Sequence, residues 1–207
     1  MNTNQRRVLV VIDVQRGFIT EHSRHIVPII VELVESWAAG GGDVVFTRYL
    51  NYPGSPFERL IHWSKLMDPP ETDLVPEIQP LADPPTIVLN KSTYSLFTSS
   101  GIQLVESHGW SDLYICGIAT ESCVLKTAVD AFEKDLTPWL VRDASASHAG
   151  PLAHEAGLLV AERFIGKDQL INCADIPSYR QSRDSNSDGA HLHTHGLPDS
   201  ANTLSGS

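Results

Sequence analysis

Three residues of types that carry out acyl transfer each follow a short apolar run: Asp13, Lys91 and Cys123. Arg7-Val8-Leu9-Val10-Val11-Ile12 leads to the carboxylate and Thr86-Ile87-Val88-Leu89-Asn90 to the ammonium. Leu113-Tyr114-Ile115-Cys116 leads to the small-residue loop Gly117-Ile118-Ala119-Thr120-Glu121-Ser122-Cys123-Val124. Such runs read as strands covered on both faces. Ligands of open parallel sheets bind beyond the carboxyl ends of the strands, so a base, a cation and a thiol far apart in sequence can converge there. Val124, Leu125, Ala128 and Phe132 recur at helical spacing, which puts Cys123 at or near a helix N-terminus. The N–H groups and positive dipole end gathered there favour thiolate over thiol and offer donors to an oxyanion. Each residue also has a plain structural reading: Asp13 as a turn cap, Lys91 as a surface lysine, Cys123 as a small buried hydrophobe. Their joint placement at strand ends favours the chemical reading.

The elements that must position these residues alternate along the chain. After the first strand, Ile26, Ile29, Ile30, Leu33, Val34 and Trp37 share a helical face that Gly40-Gly41-Gly42 ends. A second strand covers 43–48. Residues 49–85, rich in Pro, aromatic and acidic residues, read as loops and short helices of the kind that grip substrates. The third strand covers 86–91, a helix 99–109, the fourth strand 112–116, a helix 122–134 and the fifth strand 137–141. A helix over 152–164 is expected to turn Leu152, Ala156, Leu159 and Val160 inward, and 169–171 gives a short last strand. Alternation of this kind predicts a three-layer, doubly wound α/β fold, Rossmann-like, around a parallel sheet of about six strands.

One domain over 1–179 is expected, followed by a polar tail over 180–207 too poor in apolar residues to fold alone. In the tail His191, His193 and His195 alternate and would share one side of an extended segment; metal binding and incidental solvated histidines both fit. Fifteen Lys plus Arg against 25 Asp plus Glu give a formal net charge of -10. The basic residues form no run, which argues against nucleic acid as partner. Residues 1–10 lack a signal-peptide core and Val8 to Val14 is too short to span a bilayer, so no membrane association and a cytoplasmic location are expected. Cys116, Cys123 and Cys173 have neither metal-ligand nor CxxC spacing, which leaves Cys123 as a free thiol.

Three segments resemble the signatures of the isochorismatase-like cysteine hydrolases: Asp13-Val14-Gln15-Arg16-Gly17-Phe18, Lys91-Ser92-Thr93-Tyr94-Ser95-Leu96-Phe97, and the loop 117–124. Arg142-Asp143-Ala144 also matches, and the resemblance spans about residues 7 to 172. It implies a triad in which Cys123 attacks a carbonyl, Asp13 takes the thiol proton and returns it to the leaving amine, and Lys91 holds Asp13. It implies a cis peptide at Ile118-Ala119, with the N–H groups of Ala119 and Cys123 as the oxyanion hole. It also suggests a homodimer or homotetramer.

Family members named isochorismatases cleave a vinyl ether and lack the cysteine, so Cys123 favours C–N hydrolysis. Nicotinamidases hold a metal through an Asp-x-His motif and a further histidine after the second strand. Here Thr47 to Phe57 contains no histidine, and His62 stands alone. The expectation is a cysteine amidohydrolase with no metal and no cofactor, acting on a small amide, lactam or carbamoyl compound. The acidic balance mildly favours cationic or neutral substrates, as in a streptothricin-type lactam. The alternatives are a nicotinamidase with an atypical pocket and a non-catalytic protein in which Cys123 senses oxidants. Phe18, Tyr49, Tyr52, Phe57, Trp63, Tyr94 and Phe97 are the expected pocket walls, although aromatic residues at such positions also serve as ordinary core. Glu121 is placed to meet a cationic group or to complement the helix dipole.

Overall fold

A computed structural model describes residues 6–177 and Tyr179. The tail from 180 onward, with His191, His193 and His195, lies outside the described residues. Six strands form one parallel sheet: β1 (Arg7–Ile12), β2 (Asp43–Tyr49), β3 (Ile87–Lys91), β4 (Asp112–Ile118), β5 (Thr137–Ala146) and β6 (Leu170–Ile171). Their spatial order is β3-β2-β1-β4-β5-β6. The order reverses between β1 and β4, so a crevice opens at the carboxyl ends of these two central strands.

Alternation of side chains along β1 divides the core in two. Leu9 and Val11 join Ile26, Ile30, Leu33 and Trp37 of α1 (Ile26–Ala39) on one face. Val8, Val10 and Ile12 face the other side, where they meet α3 (Ser99–His108), α4 (Leu125–Glu133) and α5 (Pro151–Ile165). All five residues Val8 to Ile12 are fully buried. Each such side chain contributes about 1.5–3 kcal/mol relative to exposure. The expected three-layer, doubly wound architecture is therefore present.

Three local expectations are corrected. α5 turns Gly157, Leu158, Ala161 and Ile165 inward, whereas Leu152, Ala156, Leu159 and Val160 are exposed. Gly157 is part of the reason: a Cβ there would lie 2.8 Å from the Cα and N of Glu121, so only a glycine lets α5 pack this close to the Cys123 loop. Phe132 is likewise half exposed at the end of α4. β5 runs five residues past Val141, because the small buried residues Ala144, Ser145 and Ala146 rejoin β4 beyond an irregularity opposite Cys116. Within 49–85 the structure has α2 (Pro56–Ile61) and a 3-10 turn at Gln79–Ala82, in keeping with loops and short helices.

The close approach of α5 has a measurable consequence. Gly157→Ala forces a methyl group against the Glu121 backbone, and overpacking of this kind costs about 1–3 kcal/mol. The expected result is a lower urea midpoint together with reduced turnover, since the displaced Glu121 is two residues from Cys123. Wild-type values for both would show that the contact does not position the loop.

Candidate active site

The three strand-end residues meet in the crevice. Asp13 follows β1 directly, in the left-handed region at φ 49°, a conformation that aspartate tolerates better than most residues. The turn is fixed by Thr47 of β2, whose hydroxyl donates to Asp13 Oδ1 at 2.6 Å and accepts the Asp13 N–H at 3.2 Å. Gln15 locks the same turn to the neighbouring strand. Its side chain donates to the carbonyls of Tyr49 and Thr72 and accepts the Tyr49 N–H.

Lys91 arrives from two strands away. It ends β3, opposite Tyr49 of β2, and β2 separates it from β1. Two inter-strand spacings make about 10 Å, a gap that only a long side chain can close. The Lys91 Nζ passes 5.6 Å from the Tyr49 ring centroid and donates to Asp13 Oδ2 at 2.5 Å and to the Thr93 carbonyl at 3.1 Å. Both side chains of the ion pair are fully buried. Burial alone would lower the Lys91 pKa, but the charges of Asp13 and Cys123 outweigh it and the net shift is upward. Lys91 is thus a permanent cation at neutral pH.

Cys123 comes from the far side of the crevice. Gly117, at φ 115°, brings β4 so close to β1 that a Cβ would stand 2.1 Å from the Ile12 carbonyl oxygen. The Ile118–Ala119 peptide is cis. The chain then enters α4 through a π-helical turn, Thr120–Val124, in which the Val124 N–H reaches back to the Ala119 carbonyl at 3.2 Å. Such turns recur at functional sites. The Cys123 thiol is buried and within hydrogen-bond reach of both Asp13 and Lys91. Burial pushes its pKa up, Lys91 opposes the shift and Asp13 adds to it, for a net rise above the ordinary value. The helix terminus therefore does not leave a resting thiolate: Cys123 holds its proton, beside a carboxylate that can take it.

Over the thiol lies a cavity of about 140 Å³. Its walls are Phe18, Tyr49, Phe57, Ile61, Trp63 and Tyr94, with Ala119, Ser122, Cys123 and His148 completing the lining. Phe18 and Trp63 lie nearly parallel with centroids 5.9 Å apart, and Tyr49 meets Phe57 edge-on at 4.9 Å. Five of the seven expected aromatic walls are in place. Tyr52 is not among them: it sits in the turn before α2 and is half exposed. Phe97 also falls outside: it is partly buried against the second core cluster, with Lys134 Nζ 5.7 Å from its ring. Glu121 points away from the cavity and accepts a hydrogen bond from Ser147 Oγ at 2.7 Å, beside a groove lined by Leu125 and Phe164. Ile61, Ser122 and His148 are the lining residues that sequence reasoning missed. Ile61 lies one helical turn after Phe57 on α2, a spacing that could have revealed it.

The stretch after β2 does not fit a metal centre. Asn51 accepts from Tyr49 Oη, the Tyr52 N–H and Ser55 Oγ and donates to the carbonyls of Trp63 and Lys65, so its amide is fully engaged. His62 closes α2 in the left-handed region at φ 55°. Among the described residues, no group of three or more His, Cys, Asp or Glu stands close enough to hold a metal ion. No helix among them is long and apolar enough to cross a membrane.

Known proteins are similar to this chain in sequence and in fold. A family model for the isochorismatase domain matches residues 7–166. Phenazine biosynthesis protein PhzD of Pseudomonas fluorescens is 33% identical over 153 residues, covering 69% of this chain and 72% of its own length. Ureidoacrylate amidohydrolase RutB of Serratia proteamaculans is 37% identical over 95 residues, 45% of this chain and 38% of its own. The crystal structure of nicotinamidase PncA from Bacillus subtilis superposes with a TM-score of 0.71 at 26% identity, covering 81% of this chain and all of that one. With the family model matched over most of its length and a relative 33% identical across more than two thirds of both chains, the chain belongs to the isochorismatase family of hydrolases.

Proposed function

We propose that the protein is a cysteine amidohydrolase that cleaves a C–N bond of a small amide, lactam or carbamoyl compound without a catalytic metal. The observation that carries this reading is the buried contact of Cys123 with Asp13 and Lys91 at the floor of an aromatic cavity. As Sγ attacks the carbonyl carbon, its proton passes to Asp13. The N–H groups of Ala119 and Cys123 receive the oxyanion. Asp13 then protonates the departing nitrogen as the C–N bond breaks, which leaves a thioester on Cys123. Water, deprotonated by Asp13, releases the acid and restores the thiol. Lys91 keeps its charge throughout and holds the Asp13 side chain in place through its hydrogen bond to Oδ2.

A cavity of about 140 Å³ suits a compact substrate, and its walls suit a flat or apolar one. The similarity to an ureidoacrylate amidohydrolase and a nicotinamidase supports amide chemistry, as does the thiol itself. A streptothricin-type lactam remains one candidate within this class. Hydrolysis of a panel of small amides, ureides and lactams by wild type and Cys123→Ala tests the reading. Turnover is expected from wild type alone and unchanged after chelation. Equal turnover by the two proteins rules out the thiol mechanism, and activity lost to chelators favours a metal-dependent nicotinamidase instead.

A further inference from the structure

The turn that carries Cys123 is gripped by residues that do not line the cavity. Thr120, which opens the turn, is fully buried, and its Oγ1 shares a hydrogen bond of 2.7 Å with Nδ1 of His154, the fourth residue of α5. Glu121, the next residue, lies against Gly157 and accepts from Ser147 Oγ. His154 and Gly157 are three positions apart on one helix face, so two consecutive residues of the turn meet two consecutive rungs of α5. Burial lowers the His154 pKa, Glu155 and Glu121 pull it up and His25 pushes it down, for a net fall that keeps the ring neutral near pH 7. A neutral ring gives or accepts one hydrogen bond at Nδ1 according to its tautomer, and a hydroxyl complements either, so the contact needs no charge. What the grip preserves is a register. The Ala119 carbonyl accepts from the N–H of Ser122 at 3.1 Å and from that of Val124 at 3.2 Å. In an α turn the same carbonyl would take the Cys123 N–H. The π register hands the bond to Val124 and keeps the Cys123 N–H out of the i→i−4 ladder, open to an oxyanion. Val124, Ala128 and Ala131 anchor α4 in the core, so a return to α winding would swing the residues before it by about 100°. π turns are rare, and this one needs contacts that favour it over α winding.

We propose that His154 is a positioning residue for the nucleophile: through Thr120 it holds the turn 120–124 in the π register that leaves the Cys123 N–H to the oxyanion. This rests on the cysteine-hydrolase reading of the site and adds to it a residue outside the cavity lining.

The test compares wild type with His154→Ala, which removes the partner, His154→Asn, which returns an amide near the place of Nδ1, Thr120→Val, which removes the hydroxyl at constant shape, and the His154→Ala/Thr120→Val double variant. Steady-state kinetics use the amide of the panel that wild type cleaves fastest. Hydrogen exchange, followed by mass spectrometry without substrate, reads the order of the turn in peptides over 117–125. His154→Ala and Thr120→Val should lower kcat by about 10- to 100-fold, the scale of a small misplacement of reacting groups. KM should change little, because Phe18, Tyr49, Phe57 and Trp63 of the cavity wall come from other elements. His154→Asn should recover part of the loss, and the double variant should lose no more than Thr120→Val alone. Exchange over 117–125 should quicken about tenfold in His154→Ala, the effect of one buried hydrogen bond on a local opening, while peptides over 7–12 keep the wild-type rate. Wild-type exchange in His154→Ala overturns the proposal, as does a loss confined to KM or one that His154→Asn leaves unrelieved. Faster exchange in His154→Ala with no wild-type turnover of any amide would instead count against the hydrolase reading alone.

Discussion

Asp13→Asn is expected to lower kcat by about 10²–10⁴-fold on any amide that the wild type cleaves, the usual contribution of a positioned acid–base group. The substitution keeps the shape of the side chain and an oxygen for Thr47 Oγ1 to reach, so the turn after β1 has every reason to persist. What it removes is the proton acceptor beside a thiol that burial holds in its protonated form. Without that acceptor, attack must begin from a thiol with nowhere to send its proton. Stopped-flow or end-point assays of the variant measure the loss directly. A kcat within tenfold of wild type would show that the proton goes elsewhere.

Lys91→Met should act on stability as strongly as on rate. The Lys91–Asp13 pair is fully shielded from water, and removing one member of such a pair leaves an uncompensated buried charge, at a cost of about 3–5 kcal/mol. Urea unfolding of Lys91→Met, Asp13→Asn and the double variant resolves the coupling. The double variant should be more stable than the sum of the single losses implies, yet should stay inactive, which separates folding from chemistry. The pH dependence follows from the raised lysine pKa. The contribution of the raised Lys91 pKa is complete below the ordinary lysine value of 10.5 and is lost as the pH rises through the higher folded value. Additive losses in the double variant would mean that the two side chains do not depend on each other.

Much of this site is legible in the sequence because strand ends are. Unbroken apolar runs mark β1, β3 and β4; Asp13 and Lys91 at the ends of the first two, and Cys123 one short loop beyond the third, sit in the crevice. What the sequence conceals depends on packing across long separations. The apolar run of β5 stops at Val141, so its continuation through small residues to Ala146 has no hydrophobic signal, and His148 just beyond it went unnoticed. The inward face of α5 is hidden in the sequence for a related reason. The apolar residues of the helix point to Leu152, Ala156, Leu159 and Val160, but the contact with Glu121 is made by Gly157, a residue that no apolar count weighs. Aromatic residues were equally ambiguous: Phe57 and Phe97 look alike in sequence, and only the fold separates a cavity wall from core.

The covalent role of Cys123 is open to direct measurement. Wild-type protein mixed with a cleaved amide, quenched in acid within milliseconds and weighed intact should carry the acyl group. Peptide mapping should locate that group on Cys123 and not on the buried Cys116 or Cys173. Steady hydrolysis with no adduct on Cys123, matched by equal turnover in Cys123→Ala, would contradict the mechanism at its first step.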